Sequence, residues 1–219
     1  METPDFSWTI FLSMVALLLA SLAVFMVLTS RWTSQRLVVE LEQWARENDF
    51  KLRRPTPQPA ERVLPGPIAA LKDVEPRWLL TGGRTTLAQL QTVAPSVGAP
   101  PAPMSRWNVL LREMSWDWPA VALRPAAGAS SIIDRFPLVA VPTTIGQDRF
   151  IVLGKDSRGV RRLENLRIAS LLPADIGLLL DGRYLALEFS SRPFDRIELG
   201  RMIALADQLA QLEVVHVGA

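Results

Sequence analysis

The chain has 219 residues, 24 basic and 22 acidic side chains, a net charge of +2 and 49% hydrophobic residues. It has no cysteine and a single histidine, which excludes disulfides, thiolate catalysis and cysteine-ligated zinc or iron–sulfur clusters. The charge is nearly balanced and no dense basic block occurs, so no nucleic-acid partner is expected.

From Trp8 to Thr29 there is no charged residue and nearly every side chain is apolar. A helix of that length rises about 33 Å at ~1.5 Å per residue, so the pattern predicts a transmembrane helix. Met1–Asp5 contains no Lys or Arg, and the apolar run is long, which favours a retained anchor over a cleaved signal. Arg31, Arg36, Arg46, Lys51, Arg53 and Arg54 follow the run. Basic flanks stay in the cytoplasm, so the expectation is a single-pass protein of the cytoplasmic (inner) membrane, N-terminus outside. Trp8 and Trp32 bracket the span as interfacial aromatics do, with ordinary helix packing the alternative for each. Ser13, Ala16, Ala20, Ser21 and Ala23 are small enough to let a partner helix approach.

Residues 31–54 are expected to form a helical stalk. Leu37, Val38, Leu41, Trp44 and Ala45 fall at helical spacing, and the protein's own domain is the favoured surface for that stripe. Pro55, Pro57, Pro59, Pro65 and Pro67 make 55–67 a linker. The remainder, 68–219, is expected to be a cytoplasmic α+β domain of mainly antiparallel sheet.

Within that domain, Trp78–Thr81 and Arg84–Val93 flank Gly82-Gly83, which suits a hairpin better than a phosphate cradle. Trp107–Glu113 and Ala120–Arg124 read as two strands around Trp116-Asp117-Trp118-Pro119. Trp107, Trp116 and Trp118 could form a docking surface, or could fill a core from alternate strand positions. Arg149–Leu153 reads as a strand, and Asp156 or Ser157 caps a helix running to about Leu172. Leu178–Leu180 and Tyr184–Phe189 read as a hairpin turned at Asp181-Gly182. Asp195 and Glu198 have capping-box spacing ahead of a helix with Met202, Leu205, Ala206 and Leu209 on one face. The expected unit is β-α-β-β-α.

No chemistry stands out. His216 has no nucleophile elbow to serve, and no calcium loop or dinucleotide fingerprint occurs. No catalytic residue, metal site or cofactor is therefore expected. Arg158, Arg161 and Arg162 share a helix with Arg167 and follow Lys155, which suits anionic lipid headgroups, an acidic protein surface or simple solvation.

These features predict a non-catalytic accessory or structural subunit of a larger cytoplasmic-membrane complex, such as a photosynthetic or respiratory assembly, with other membrane-protein subunits as partners. Two alternatives make different demands. A membrane-tethered sensor needs a sizeable pocket near Trp107, Trp116 and Trp118. A membrane-anchored hydrolase needs several buried carboxylates converging in a cleft.

Overall fold

The computed structural model describes residues 5–54, 63–93 and 105–217, except 129, 144 and 147; side chains at 5–7, 9–10, 27–35 and 213–217 are also left aside. The expected linker falls largely outside this set, as does the Pro95–Pro103 tract. The chain divides into two compact units, Met1–Gln43 and Trp44–Ala219.

The first unit is helix. α1 runs from Asp5 to Glu47, so its last turn belongs to the second unit. Among the described residues no helix is long and apolar enough to cross a membrane. This corrects the expected transmembrane helix, and with it the single-pass, inner-membrane, N-terminus-outside assignment that rested on it.

The second unit is built on antiparallel pairing. Its strands are β1 (Lys51–Arg53), β2 (Val74–Gly82), β3 (Thr85–Thr92), β4 (Arg106–Pro125), β5 (Val139–Ala140), β6 (Phe150–Gly154) and β7 (Gly177–Glu188). Their order is β1-β2-β3-β4-β6-β5, with β7 along the other side of β4. The segment expected to be helical to residue 54 instead turns at Asp49, in a left-handed conformation (φ 58°), and enters β1. Phe50 stacks against Trp44 with ring centroids 5.2 Å apart.

β2 and β3 form the hairpin expected at Gly82-Gly83, with Gly82 facing Thr85 and Gly83 supplying a φ of 52°. Both glycines are needed. A Cβ on Gly82 would lie 2.9 Å from the Phe50 ring, and Gly83 holds a backbone conformation that favours glycine. The register slips between Pro76 and Trp78, so Arg77 bulges out of β2. Pro76 has no N–H to give the ladder, which is where a bulge is tolerated.

β4 and β7 differ most from the sequence reading. The two strands expected around Trp116–Pro119 are one strand of 20 residues. The expected Asp181-Gly182 hairpin is likewise one continuous strand of 12 residues, so the C-terminal unit is not β-α-β-β-α. β7 pairs along both halves of β4, from Val109↔Glu188 and Glu113↔Tyr184 to Trp118↔Gly182 and Leu123↔Leu178. The register slips on both sides of Trp118, opposite Gly182, whose φ is 55°. Bulges facing a left-handed glycine make a corner, and a sheet turns such a corner without losing its pairing.

The turn at this corner is sharp. A Cβ on Gly177, the first residue of β7, would lie 3.3 Å from the Cβ of Glu188, the last. β7 thus folds over so that its halves face each other across the interior. They do not pair edge to edge. One buried core accordingly draws Leu79, Ala88, Trp107, Val109, Leu111 and Ala186 from one half, and Ala122, Leu179, Ile132 and Ile133 from the other.

Two short helices and one long one finish the unit. α2 (Ser157–Asn165) is capped by Asp156, whose side chain accepts from the N–H groups of Arg158 and Gly159. The helix expected to reach Leu172 breaks at Arg167, which is left-handed at φ 51°, and restarts as α3 (Ile168–Leu171). α4 (Arg196–Val217) begins after Asp195, which accepts from Ile197 and Glu198 N–H. Glu198 turns away from the cap to bind Arg192 and Arg201.

Candidate functional site

Folding β7 over brings the two ends of β4 and the two ends of β7 to one mouth. A cavity of about 350 Å³ opens there, lined by Trp107 at the start of β4, Arg124 at its end, Asp175 before β7 and Glu188 and Ser190 at its close. This volume is at the lower end for ligand pockets, and barrel mouths commonly hold them.

Glu188 is the central buried polar group, with 6% of its surface exposed. Ser131 donates its hydroxyl to Oε2, Ser190 donates to Oε1 at 3.0 Å, and the Ile132 N–H donates to both oxygens at 3.2 Å. Burial pushes the Glu188 carboxyl above its ordinary range, while these hydrogen bonds pull the other way. Ser131 also begins the 3₁₀ turn Ile132–Arg135 with a capping box to Asp134. Glu188 is therefore a clamp: it closes the N-terminal end of a turn 56 residues away in sequence.

A second network ties the same mouth to α4. Arg192 donates to both oxygens of Asp175, at 2.7 and 2.8 Å, and to Glu198 at 3.1 Å. The Arg192 guanidinium holds the Asp175 carboxyl down at about 2, and its own pKa is raised in return. The Arg192 carbonyl accepts from the Asn108 side chain at 2.8 Å, and Asn108 accepts from Gln89 at 3.1 Å. Arg124 pairs with Asp134 at 2.5 Å on the far side of the cavity.

The residues singled out from sequence are not brought together. Trp107 is buried in the core, with Arg135 stacked 4.8 Å above its ring. Trp116 is half-buried at the β4 bulge, and Trp118 is buried there beneath the Arg162 guanidinium at 4.2 Å. Trp107 lies at the mouth and Trp116 and Trp118 lie at the corner, so the three do not share a docking surface. Arg162 also donates to the Asp117 carbonyl at 2.9 Å. Arg158 and Arg161 are exposed on α2. Trp8 is 67% exposed on α1, edge-on to Phe11. The Trp32 side chain and His216 lie outside the described side chains. Among the described residues no group of acidic or histidine side chains could hold a metal ion.

The sequence reading missed Glu188 and Ser131. A carboxylate inside the apolar run Leu185–Phe189 and the Ser131–Asp134 spacing were signals for both.

No family model matches the chain, and no curated protein is similar to it in sequence. A solved structure does share the fold: the mycobacterial trehalose monomycolate transport factor A, TtfA, matches with a TM-score of 0.53. The match covers 80% of this chain and 93% of that one at 14% identity. A likeness at this identity concerns the fold alone.

Proposed function

We propose that the protein is a non-catalytic accessory subunit of a larger protein assembly, held to its partners through α1. The observation that carries this reading is the apolar surface of the first unit. Trp8, Phe11, Leu12, Met14, Leu17, Leu18, Leu19, Leu22, Val24, Phe25 and Met26 are each 50% or more exposed in the isolated chain. Fully burying one such side chain contributes about 1.5–3 kcal/mol, so a contiguous set is a strong drive to association. Ser13, Ala16, Ala20 and Ala23 recur along one side of the helix. Side chains that small let a second helix come close, so the partner is expected to present an apolar helix.

The second unit supports the non-catalytic part of the reading, because Glu188, Ser131, Ser190, Asp175 and Arg192 are all engaged in holding the fold. The likeness to a transport factor fits a protein that serves other components, but neither transport nor that cargo is assigned to this chain. The test is the Leu18→Arg variant, which places a charge amid the exposed apolar surface. Native purification of the unaltered chain should recover partner proteins in stoichiometric amounts, and the variant should lose them while its second unit stays folded. Recovery of the same partners with the variant would refute docking through α1.

A further inference from the structure

We infer that α1 pairs with a second copy of this chain, the two helices running antiparallel about a two-fold axis at Leu18. The inference rests on the reading of α1 as a docking helix and names one of its partners. Phe11–Met26 is exposed throughout in the isolated chain. Two features of this helix are symmetric about the same point, and the first is charge. Asp5 is the last charged residue before the apolar run and Arg31 the first after it, and both lie within α1. Leu18 is midway between them. In an antiparallel pair centred there, position 5 of each copy stands level with position 31 of the other, acid against base. A parallel pair in register sets acid against acid and base against base.

The second feature is size. Ser13, Ala16, Ala20 and Ala23 recur at steps of three and four residues, the spacing that keeps one side of a helix against a neighbour. Thr9 and Val27 continue the same steps in the sequence. These positions also mirror one another about Leu18: 13 stands level with 23, 16 with 20 and 9 with 27. Each level of the seam therefore sets one small residue against another, which lets the two backbones come close. Leu12, Leu17, Leu19 and Val24 flank the seam, each at least 58% exposed, and covering them drives the association. Phe11 and Leu18, seven residues apart, lie on the opposite side, which leaves that side to other partners. An unrelated partner gives no reason for charge and size to mirror about one point. A second copy matches such a helix by symmetry.

The chain has no cysteine, so introduced cysteines report the pairing directly. Full-length Ser13→Cys and Ala23→Cys chains in mild detergent are oxidised separately and as a mixture. Across the antiparallel pair 13 is level with 23, whereas 13 and 13, or 23 and 23, are about 15 Å apart along the axis at ~1.5 Å per residue, beyond a disulfide's reach of about 7 Å. The mixture should give a disulfide-linked heterodimer, and either variant alone little product. Asp5→Arg should weaken dimerisation roughly three- to ten-fold in sedimentation, and adding Arg31→Asp should restore it. A monomeric chain would overturn the inference. So would either cysteine variant crosslinking alone as readily as the mixture, or a charge swap that fails to restore the dimer. Leu18→Arg separates this pairing from recruitment of other proteins, because it lies away from the seam. Other partners lost with the mixed crosslink retained supports the pairing, and other partners recovered with no mixed crosslink overturns the pairing alone.

Discussion

Replacing Gly177 by alanine tests whether β7 folds over onto itself. The added methyl would sit 2.8 Å from Ile133 Cδ1 and 3.3 and 3.4 Å from Glu188 Cβ and Oε2. These neighbours are buried, and Glu188 is held on three sides by its hydrogen bonds. Overpacking of this kind costs about 1–3 kcal/mol. Against that, an alanine lowers the entropy of the unfolded chain and returns about 0.4–1 kcal/mol where the backbone tolerates it. The packing term wins, leaving a net loss of about 1–2 kcal/mol. For a unit of this size that lowers Tm by roughly 2–8 °C. Urea unfolding and a thermal scan measure it. Ile133→Val removes the nearest methyl, so Gly177→Ala in that background should cost about 1 kcal/mol less than the two single changes summed. A neutral or stabilising Gly177→Ala would refute the reasoning, because an unfolded-over β7 leaves open space at that position.

Three further outcomes follow from the same geometry. Gly182→Ala meets no neighbour within 4 Å but must hold φ 55°, so it should cost about 1–2 kcal/mol in urea unfolding, with Gly182→Asn milder. Glu188→Gln should destabilise by about 1–3 kcal/mol by weakening the clamp on Ser131 and Ile132. Its deficit should shrink as pH rises, because a raised carboxyl pKa means the folded state loses stability as pH climbs from about 4.5 through that raised value, and glutamine does not titrate. Asp175 behaves oppositely. Its carboxyl is lowered to about 2, so its contribution is complete above 3.8 and vanishes as pH falls towards 2. Arg192→Ala should remove that acid dependence and lower Tm, which pH-resolved thermal scans will reveal.

Local structure was legible wherever it rested on nearby residues. Gly82-Gly83, the Asp156 cap and the Asp195 cap each stand within three residues of what they order. The corner was not legible for a physical reason. Asp181-Gly182 carries the same left-handed tolerance whether it joins two paired strands or bends one, and only the long partner β4 decides between them. Trp116 and Trp118 misled in the same way: two register slips on either side of Trp118 in a 20-residue strand resemble a loop between two short ones. The Glu188–Ser131 pair spans 57 residues, and no spacing rule reaches across that distance. The apolar run at the N-terminus is plain in the sequence, but run length alone does not say whether lipid or another protein covers it. Helix breakage at Arg167 had no sequence signal, since arginine rarely adopts a left-handed conformation.

The central claim is that α1 is a protein-docking helix. The most direct measurement places a photo-crosslinking side chain at Leu17, which is 75% exposed, and irradiates intact cells. Mass spectrometry of the adducts should return one or a few proteins, each crosslinked through an apolar helical segment and recovered in stoichiometric amounts in native purification. Adducts spread over unrelated proteins, or no protein adduct at all, would contradict the subunit assignment.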